Sequence, residues 1–591
     1  MSFKDDVNEE RVDEVTRLLS KCASVGTMDD VGRTPLYIAA SQGKLDIVME
    51  LMNATKVNVQ TKEGATPLLI ACQYGHTDVV RFLVDYANVN LATLEGVTPL
   101  FMAAQIGSLE IAKLLLEKNA DANLSMLNGA TPIIIAAQNG YVEIVKLLRH
   151  KGNPTATMRG GATALMIATQ HRHTQVVAAL LEVVNDVDIP LLDGTTPLLI
   201  ACAIGQLDIV ELLLTKADAR KTRYVFIIDD FEILKLLQDG ISSLLLAAQC
   251  GHAQVVKLLL EASSWSSTEI AASLLISIQF NRIQVYDFLI SYNPDIIHHV
   301  MEDGTTALIV AAACGNVPIV NRLLEANVDI NIVTKNGATA LMVATEHGHI
   351  EIVKTLYARH HSPLECVMPN GATLLHIAAQ NGHVSFMDFF LPVAEVDAET
   401  HDGTTPLMLA AAKGHAQIVS ILLAAGCKVD LISDKQSFAL LAAAQHGHYD
   451  VVATLIPQAN VNLSNEDGVS ALLIAAQGGY HAIVSLLLEH GADGKQCTKA
   501  DRATPLIMAA AKGHYDCVEA LITYSDIDHP MKDGSTALFV AAASGCIEVV
   551  RLLLNKGANA NQAMKSGMTP LTIAQQYQHE EITALLLKHR V

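Results

Sequence analysis

Two stretches, Glu63-Gly64-Ala65-Thr66-Pro67-Leu68 and Asp193-Gly194-Thr195-Thr196-Pro197-Leu198, carry one pattern. With the Gly as anchor, the pattern recurs at positions 32, 64, 96, 129, 161, 194, 240, 270, 304, 337, 371, 403, 436, 468, 502, 534 and 567. Seventeen copies result, and all intervals are 32 to 34 residues except the 46-residue step to Gly240 and the 30-residue step to Ile270. A fixed period of this size marks a stack of identical small units rather than a string of globular domains.

Each part of the unit has a physical role. Asp-Gly or Asn-Gly, as at Asn128-Gly129 and Asp402-Gly403, supplies the positive φ of a tight hairpin turn. Thr then caps a helix, and Pro at its first position sacrifices only an N–H that would lack a partner anyway. A short apolar helix rich in Ala follows, and a second Gly eleven residues after the anchor, as at Gly75, Gly414 and Gly513, stops it. An amphipathic second helix such as Asp78-Val79-Val80-Arg81-Phe82-Leu83-Val84 completes the unit. The two Gly slots absorb 28 of the 36 glycines, so little of that stock is left for a phosphate-cradling loop.

The same unit explains an unusual composition. Of 591 residues, 51% are hydrophobic, 17% charged and 4% aromatic, where soluble domains carry roughly 25% charge. Mean hydropathy is +0.31, yet no run reaches the ~20 apolar residues of a membrane span. The most apolar stretch, 306–324, is broken by Gly315, Asn316 and Pro318. The acidic start, Met1-Ser2-Phe3-Lys4-Asp5-Asp6, lacks the apolar core of a signal peptide. Sixty-one acids against forty bases give a net charge of −21 without any basic run, which argues against nucleic acid as a partner. Ten cysteines without a C-x-x-C pair fit reduced thiols in the cytoplasm, with the nucleus as the other compartment.

The G-x-T-P-L … A-A-x-x-G-H-x-x-I/V-V-x-x-L-L signature resembles the ankyrin repeat over nearly the whole chain. The resemblance implies an all-α solenoid of helix-turn-helix units with β-hairpin loops, an elongated curved superhelix. It implies residues 1–31 as an N-terminal capping half-repeat, 32–218 as a first block of repeats, 219–238 as an irregular insertion, and 239–591 as a second block. That second block holds a degenerate repeat near 265–298 and ends in a C-terminal cap. Where the family often has His after T-P-L, this chain has Leu69, Phe101, Ile134 and Met166, with His376 the exception; apolar packing must replace a polar link there. Anchor glycines give way to Ile270, Gln436 and Arg502, and turn glycines to Arg172, Asn281 and Gln578. The extra residues before Gly240, including Tyr224-Val225-Phe226-Ile227-Ile228, read as a decayed repeat, a hinge or a binding loop.

Catalytic signatures are missing. There is no G-x-x-x-x-G-K-S/T or G-x-G-x-x-G loop, no G-x-S-x-G elbow, and His579-Glu580-Glu581 does not continue to a zinc-binding helix. His171/His173, His347/His349 and His446/His448 flank the inter-helix turn and read as structural. Cys72 and Cys202 share a small-residue slot and read as core. The expectation is no enzyme, no cofactor and no metal site.

What varies is surface. Nine residues after the anchor stands Gln in ten copies, Gln73, Gln105, Gln138 and Gln170 among them, either a helix-favouring neighbour contact or a ladder of amides for an extended peptide. One residue on, the column changes from copy to copy, with Tyr74, Ile106, Asn139, Ile204 and Phe280 in the first part and His347, Lys413, His446 and Lys512 in the second. Exposed apolar members of such a column are hot-spot candidates, and Trp265, the lone tryptophan, joins them. Acids just before the anchors, such as Glu63, Glu95, Asp193 and Asp402, either serve the Asp-Gly turn or form a rim that favours a basic segment. The resemblance also makes Asn58, Asn90, Asn123, Asn331, Asn462 and Asn561 candidates for asparaginyl hydroxylation.

The expected function is that of a monomeric, non-catalytic scaffold or adaptor. It would bind protein partners, including an extended or basic segment, in the concave face the resemblance implies, without membrane insertion. Alternatives are a substrate-recognition subunit of a ubiquitin ligase or other enzyme complex, and a membrane-cytoskeleton adaptor.

Overall fold

The computed structural model describes residues 28–52, 56–221, 240–359 and 367–589. Residues 1–27 of the expected N-terminal cap and nearly all of the 219–238 insertion lie outside them, as does Arg590. The chain forms two compact units, Met1–His299 and Val300–Val591.

Both units repeat one construction. Thr66 is extended and its hydroxyl accepts the Leu69 N–H, and Pro67 opens the helix Pro67–Gln73. Thr196 and Thr405 do the same for Pro197–Ile204 and Pro406–Lys413. The first helix buries nearly all of its length, with Leu68, Ala71 and Cys72 fully enclosed. It is covered on both sides because first helices pack in series, Pro67–Gln73 on Pro99–Ile106 and that on Pro132–Gln138. At about 25 cal/mol per Å², each enclosed Leu contributes roughly 2 kcal/mol. The second helices form an outer layer that buries one stripe, as Ile111, Ala112 and Leu115 do in Leu109–Glu117.

Turn chemistry matches the expectation at every described position but one. All anchors from Gly32 to Gly567 have positive φ, and so do Gln436 and Arg502, which stand in for Gly. The second slot behaves alike, with Arg172, Asn281 and Gln578 held at φ 63°, 53° and 60°. The exception is Ile270. It lies inside the helix Ser267–Gln279, which starts at a capping box between Ser266 and Glu269. Without a turn-forming residue at 270, the sequence Ser266-Ser267-Thr268-Glu269 nucleates helix instead, and this repeat has no hairpin.

The hairpins are turns rather than strands. Among the described residues there is no strand, only isolated bridges at Thr157–Thr163 and Ser464–Ser470. The Thr61 N–H donates to the Ala65 carbonyl to close one finger, and the Leu94 N–H donates to the Glu63 carbonyl to join it to the next.

In the first unit the stack runs on across residues 222–239: Pro197–Ile204 packs directly on Ser243–Cys250, and Leu207–Leu214 on Ala253–Ala262. Ser243 donates to the Ala219 carbonyl at 2.6 Å, and Arg220 pairs with Glu269 at 3.2 Å.

Candidate functional site

The inner-helix layer ends on one side at the hairpin tips and on the other at the inter-helix turns, and the turns are stapled by histidine. His76 donates through Nε2 to the Ser41 carbonyl of the preceding repeat at 2.9 Å. His173 reaches Gln138 at 2.9 Å, His252 reaches Ala203 at 3.1 Å, and His448 reaches Ala412 at 3.1 Å. Each takes up a carbonyl at the end of a helix that lacks an intrahelical partner. Arg282 replaces His in the degenerate repeat and donates to Gln249 at 2.8 Å. Every imidazole lies over the turn glycine of the repeat before it, so a Cβ on Gly414 would stand 2.8 Å from His448 Nδ1.

This staple decides the histidine pairs. His171 and His173 stack with centroids 6.1 Å apart, as do His347 and His349 at 6.3 Å. The second ring of each pair belongs to the staple, and His347 and His446 donate from Nδ1 to Val343 and Ala442 of their own helices. Among the described residues no group of three or more His, Cys, Asp or Glu is placed to hold a metal ion. Cys72 and Cys202 are fully buried, and burial pushes both thiols well above their ordinary value.

A second lattice joins the loops. Asn58 Oδ1 accepts the Asn88 N–H at 2.8 Å, Asn90 accepts Asp121 at 2.8 Å, Asn123 accepts Asn153 at 2.7 Å and Asn462 accepts Asp493 at 2.7 Å. Four of the six hydroxylation candidates therefore link one repeat to the next; Asn331 and Asn561 instead donate their own N–H groups in turn bonds to Asp329 and Asn559. His376 makes the hairpin link of its slot, donating to Thr404 at 3.0 Å, where Leu69, Phe101, Ile134 and Met166 are buried and apolar.

The variable column sits at the last position or C-cap of each first helix. Tyr74 is 47% exposed, while Asn139, His347, Lys413, His446 and Lys512 are exposed and Ile106, Ile204 and Phe280 half-buried. Ile106 reaches back to Gly75 of the previous repeat, and Asn139 donates to the Gln105 carbonyl at 3.0 Å. Trp265 stands apart from this row. Its Nε1 donates to the Leu259 carbonyl at 2.9 Å, which pins the half-buried indole to the end of Ala253–Ala262.

The Tyr37 phenol is pushed up to about 12 by burial, by Tyr74 and by the Glu63 carboxylate, with Arg33 opposing. Some tip acids are consumed by their own turns: Asp193 accepts the Thr195 N–H at 2.9 Å. Hydrogen bonds from Lys435, Thr400 and Thr404 hold the Asp402 carboxyl far below the usual carboxylate range.

The register column two residues before the anchor is apolar at three tips of the first unit. Leu94, Leu127 and Leu192 are 72%, 60% and 92% exposed at the tips of the first unit. The equivalent tips of the second unit are Glu302, Lys335, Pro369, His401, Asp434, Glu466, Ala500, Lys532 and Lys565.

Comparison with known proteins agrees with this architecture. A family model for ankyrin repeats in three copies matches residues 7–93, 87–158, 152–224, 274–364, 358–433, 440–533 and 525–591, and a single-repeat model matches 239–268. The chain belongs to the ankyrin-repeat family, whose repeats are generic protein-interaction modules and generally non-catalytic. It is 39% identical over 92 residues to the ankyrin repeat and KH domain-containing protein mask of Drosophila melanogaster, covering 15% of this chain and 2% of that protein. It is 36% identical over 87 residues to Inversin of Gallus gallus, covering 15% and 8%. To human transient receptor potential cation channel subfamily A member 1 it is 37% identical over 99 residues, covering 16% and 9%. The chain thus spans less than a tenth of each of these relatives. Among the described residues no helix is long and apolar enough to cross a membrane.

Proposed function

We propose that the chain is a non-catalytic cytoplasmic scaffold or adaptor that binds partner proteins along its inner-helix face. The observation that carries this reading is a contrast within each repeat. Buried positions, caps and turns are nearly constant, while the exposed end of the first helix changes from Tyr74 to Ile106, Asn139, Ile204 and Phe280. A scaffold repeated for stability alone has no need for such variation, whereas a recognition surface requires it.

Affinity purification followed by mass spectrometry tests the reading. The wild-type chain is expected to recover a partner set that a Tyr74→Ala/Ile106→Ala/Phe280→Ala variant loses or recovers at least fivefold less. Equal recovery by the variant would move the binding surface elsewhere.

A further inference from the structure

Asn-Gly occurs five times in the chain, at Asn128-Gly129, Asn139-Gly140, Asn336-Gly337, Asn370-Gly371 and Asn381-Gly382. In each pair an unhindered glycine nitrogen follows a carboxamide that it can attack, and the fold decides which pair is free to react. Asn139 and Asn381 are held at inter-helix turns, their Nδ2 groups donating to the Gln105 carbonyl at 3.0 Å and the Ile377 carbonyl at 2.9 Å. The other three asparagines stand exposed at hairpin tips. There the Gly N–H closes each turn at 2.8 Å onto the carbonyl of Met126, Thr334 or Met368. Exposure and turn closure therefore do not separate the three.

Two further bonds do. Asn128 Oδ1 accepts the Ala130 N–H at 2.9 Å, and Asn370 Oδ1 accepts the Ala372 N–H at 3.1 Å. At the third tip the Thr334 hydroxyl takes the Ala338 N–H at 3.2 Å, because threonine stands where the other two tips have Met126 and Met368. The Asn336 carboxamide is left without a hydrogen bond among the described residues. The backbone differs in the same sense. Arg159 and His401 of the next fingers donate their N–H groups to the Asn128 and Asn370 carbonyls, each at 2.8 Å. Pro369 occupies that register after Asn336 and has no N–H to give. Cyclisation requires the carboxamide to leave its bond and the asparagine ψ to swing the Gly nitrogen toward Cγ. Because the peptide unit is planar, the Asn carbonyl swings with it. Both movements break bonds at Asn128 and Asn370, and neither does at Asn336.

We infer that Asn336-Gly337 is a site of spontaneous deamidation in the folded protein. The Gly337 nitrogen adds to Asn336 Cγ, its proton passes to the departing Nδ2, and ammonia leaves as the Cγ–Nδ2 bond breaks and a cyclic imide closes. Water then opens the imide at Cγ, which gives aspartate, or at the backbone carbonyl carbon, which gives β-linked isoaspartate. Water is the only co-reactant. Either product puts a new carboxylate next to Lys335, and the β-linked one lengthens the backbone of a turn in which the Thr334 N–H donates to the Ala338 carbonyl at 3.0 Å. This finger is tied to the one before it by the Lys335 N–H and the Asp303 carbonyl at 2.7 Å, a register that the longer backbone disrupts.

Peptide mapping by mass spectrometry of the full chain, aged in neutral buffer, follows all five pairs in one sample. Each hydrogen bond that must open slows the reaction about fivefold, so Asn336 is expected to convert about twentyfold faster than Asn128 or Asn370. In concentrated urea, where no turn survives, the five rates should converge. Pro369→Ala restores the missing donor and Thr334→Met returns the Ala338 N–H to Asn336, and each should slow Asn336 about fivefold. Asn370 and Asn381, in the neighbouring repeat, stay slow in a variant whose fold is kept. Conversion of Asn128 or Asn370 as fast as that of Asn336 in the folded wild type overturns the inference. So does an unchanged Asn336 rate in either variant while Asn370 and Asn381 stay slow.

Discussion

The two units share a scaffold and differ at its rim. In the first, His76, His173 and His252 staple three of the inter-helix turns; in the second, His349, His415, His448 and His514 act in the same way at four of them. Half-buried apolar residues such as Ile135 and Ile167 in one, and Val343 and Ile474 in the other, occupy the same place on the first helix. At the tips the units differ in part: Leu94, Leu127 and Leu192 stand among Asp30, Lys62 and Arg159 in the first, whereas the same column of the second has Glu302, Lys335, Asp434 and Lys532. Stability is carried by the repeated part, and on the proposed binding role partner choice falls to the part that is free to differ, so the two can diverge without cost to each other.

If the scaffold is equivalent in both units, matched lesions must cost the same. Gly140 and Gly414 each have positive φ, and a Cβ on either would meet the ring of His173 or His448 at 2.8 Å. Gly140→Ala and Gly414→Ala should each destabilise by about 2–4 kcal/mol, combining left-handed strain with displacement of the staple. Gly426→Ala, also at positive φ but with nothing within 4 Å, should cost only about 1 kcal/mol. Hydrogen exchange resolved by peptide measures each locally, as suits an array whose repeats open separately. A large difference between the matched pair would break the equivalence.

His376 marks a real difference between the units. It is fully buried, paired with Thr373 and Thr404, and burial holds its imidazole below its ordinary value against the pull of the Thr404 and Ala398 carbonyls and Asp402. A histidine depressed in the folded state binds its proton more readily when unfolded. Its stabilisation is therefore present above the unfolded value near 6.5 and is lost as pH falls through the folded value. Exchange protection around Leu374–Asn381 should fall between pH 7 and 5 in the wild type and fall less in His376→Leu, which copies the Leu69 slot of the first unit. At pH 7, His376→Ala should cost about 2–3 kcal/mol for the cavity and the unpaired carbonyl. An identical pH response in wild type and His376→Leu would remove the imidazole from this account.

Much of this was open to reading in the sequence because solenoid chemistry is local. Thr-Pro, Asp-Gly and the turn glycines dictate conformation through their own backbones, so the left-handed residues Arg172, Asn281, Gln436, Arg502 and Gln578 followed from register alone. Ile270 misled because register assigns a slot even where the residues in it favour helix, and the Ser266–Glu269 capping box prevailed. The staple was half visible: Gly-His pairs are plain in the sequence, but the carbonyl each His serves lies in the repeat before, about 35 residues away in chain order. A third slot, with Gly426, Gly491 and Gly557 matched by Asn119 and Asn327 at positive φ, was legible in register and needed only a later column to be aligned. Trp265 stands out in the sequence only as a rarity, yet its place is fixed by the Leu259 carbonyl, a contact that rarity does not encode.

The smallest effect separates strain that is tolerated from strain that is used. Arg172 in the first unit and Gln436 in the second both hold left-handed backbone, at φ 63° and 60°, where a side chain costs about 1–2 kcal/mol relative to glycine. No side-chain bond offsets this at Arg172, so Arg172→Gly should stabilise its repeat by about 1 kcal/mol. Gln436 differs: its Oε1 accepts the Glu466 N–H at 3.0 Å, tying one hairpin to the next. Gln436→Gly relieves the same strain and forfeits that link, worth about 1 kcal/mol, leaving a net change near zero. Thermal melts paired with local hydrogen exchange distinguish the two. A gain in Gln436→Gly as large as that in Arg172→Gly would mean that the inter-hairpin bond contributes nothing, and that the two units tolerate their substituted glycines for the same reason.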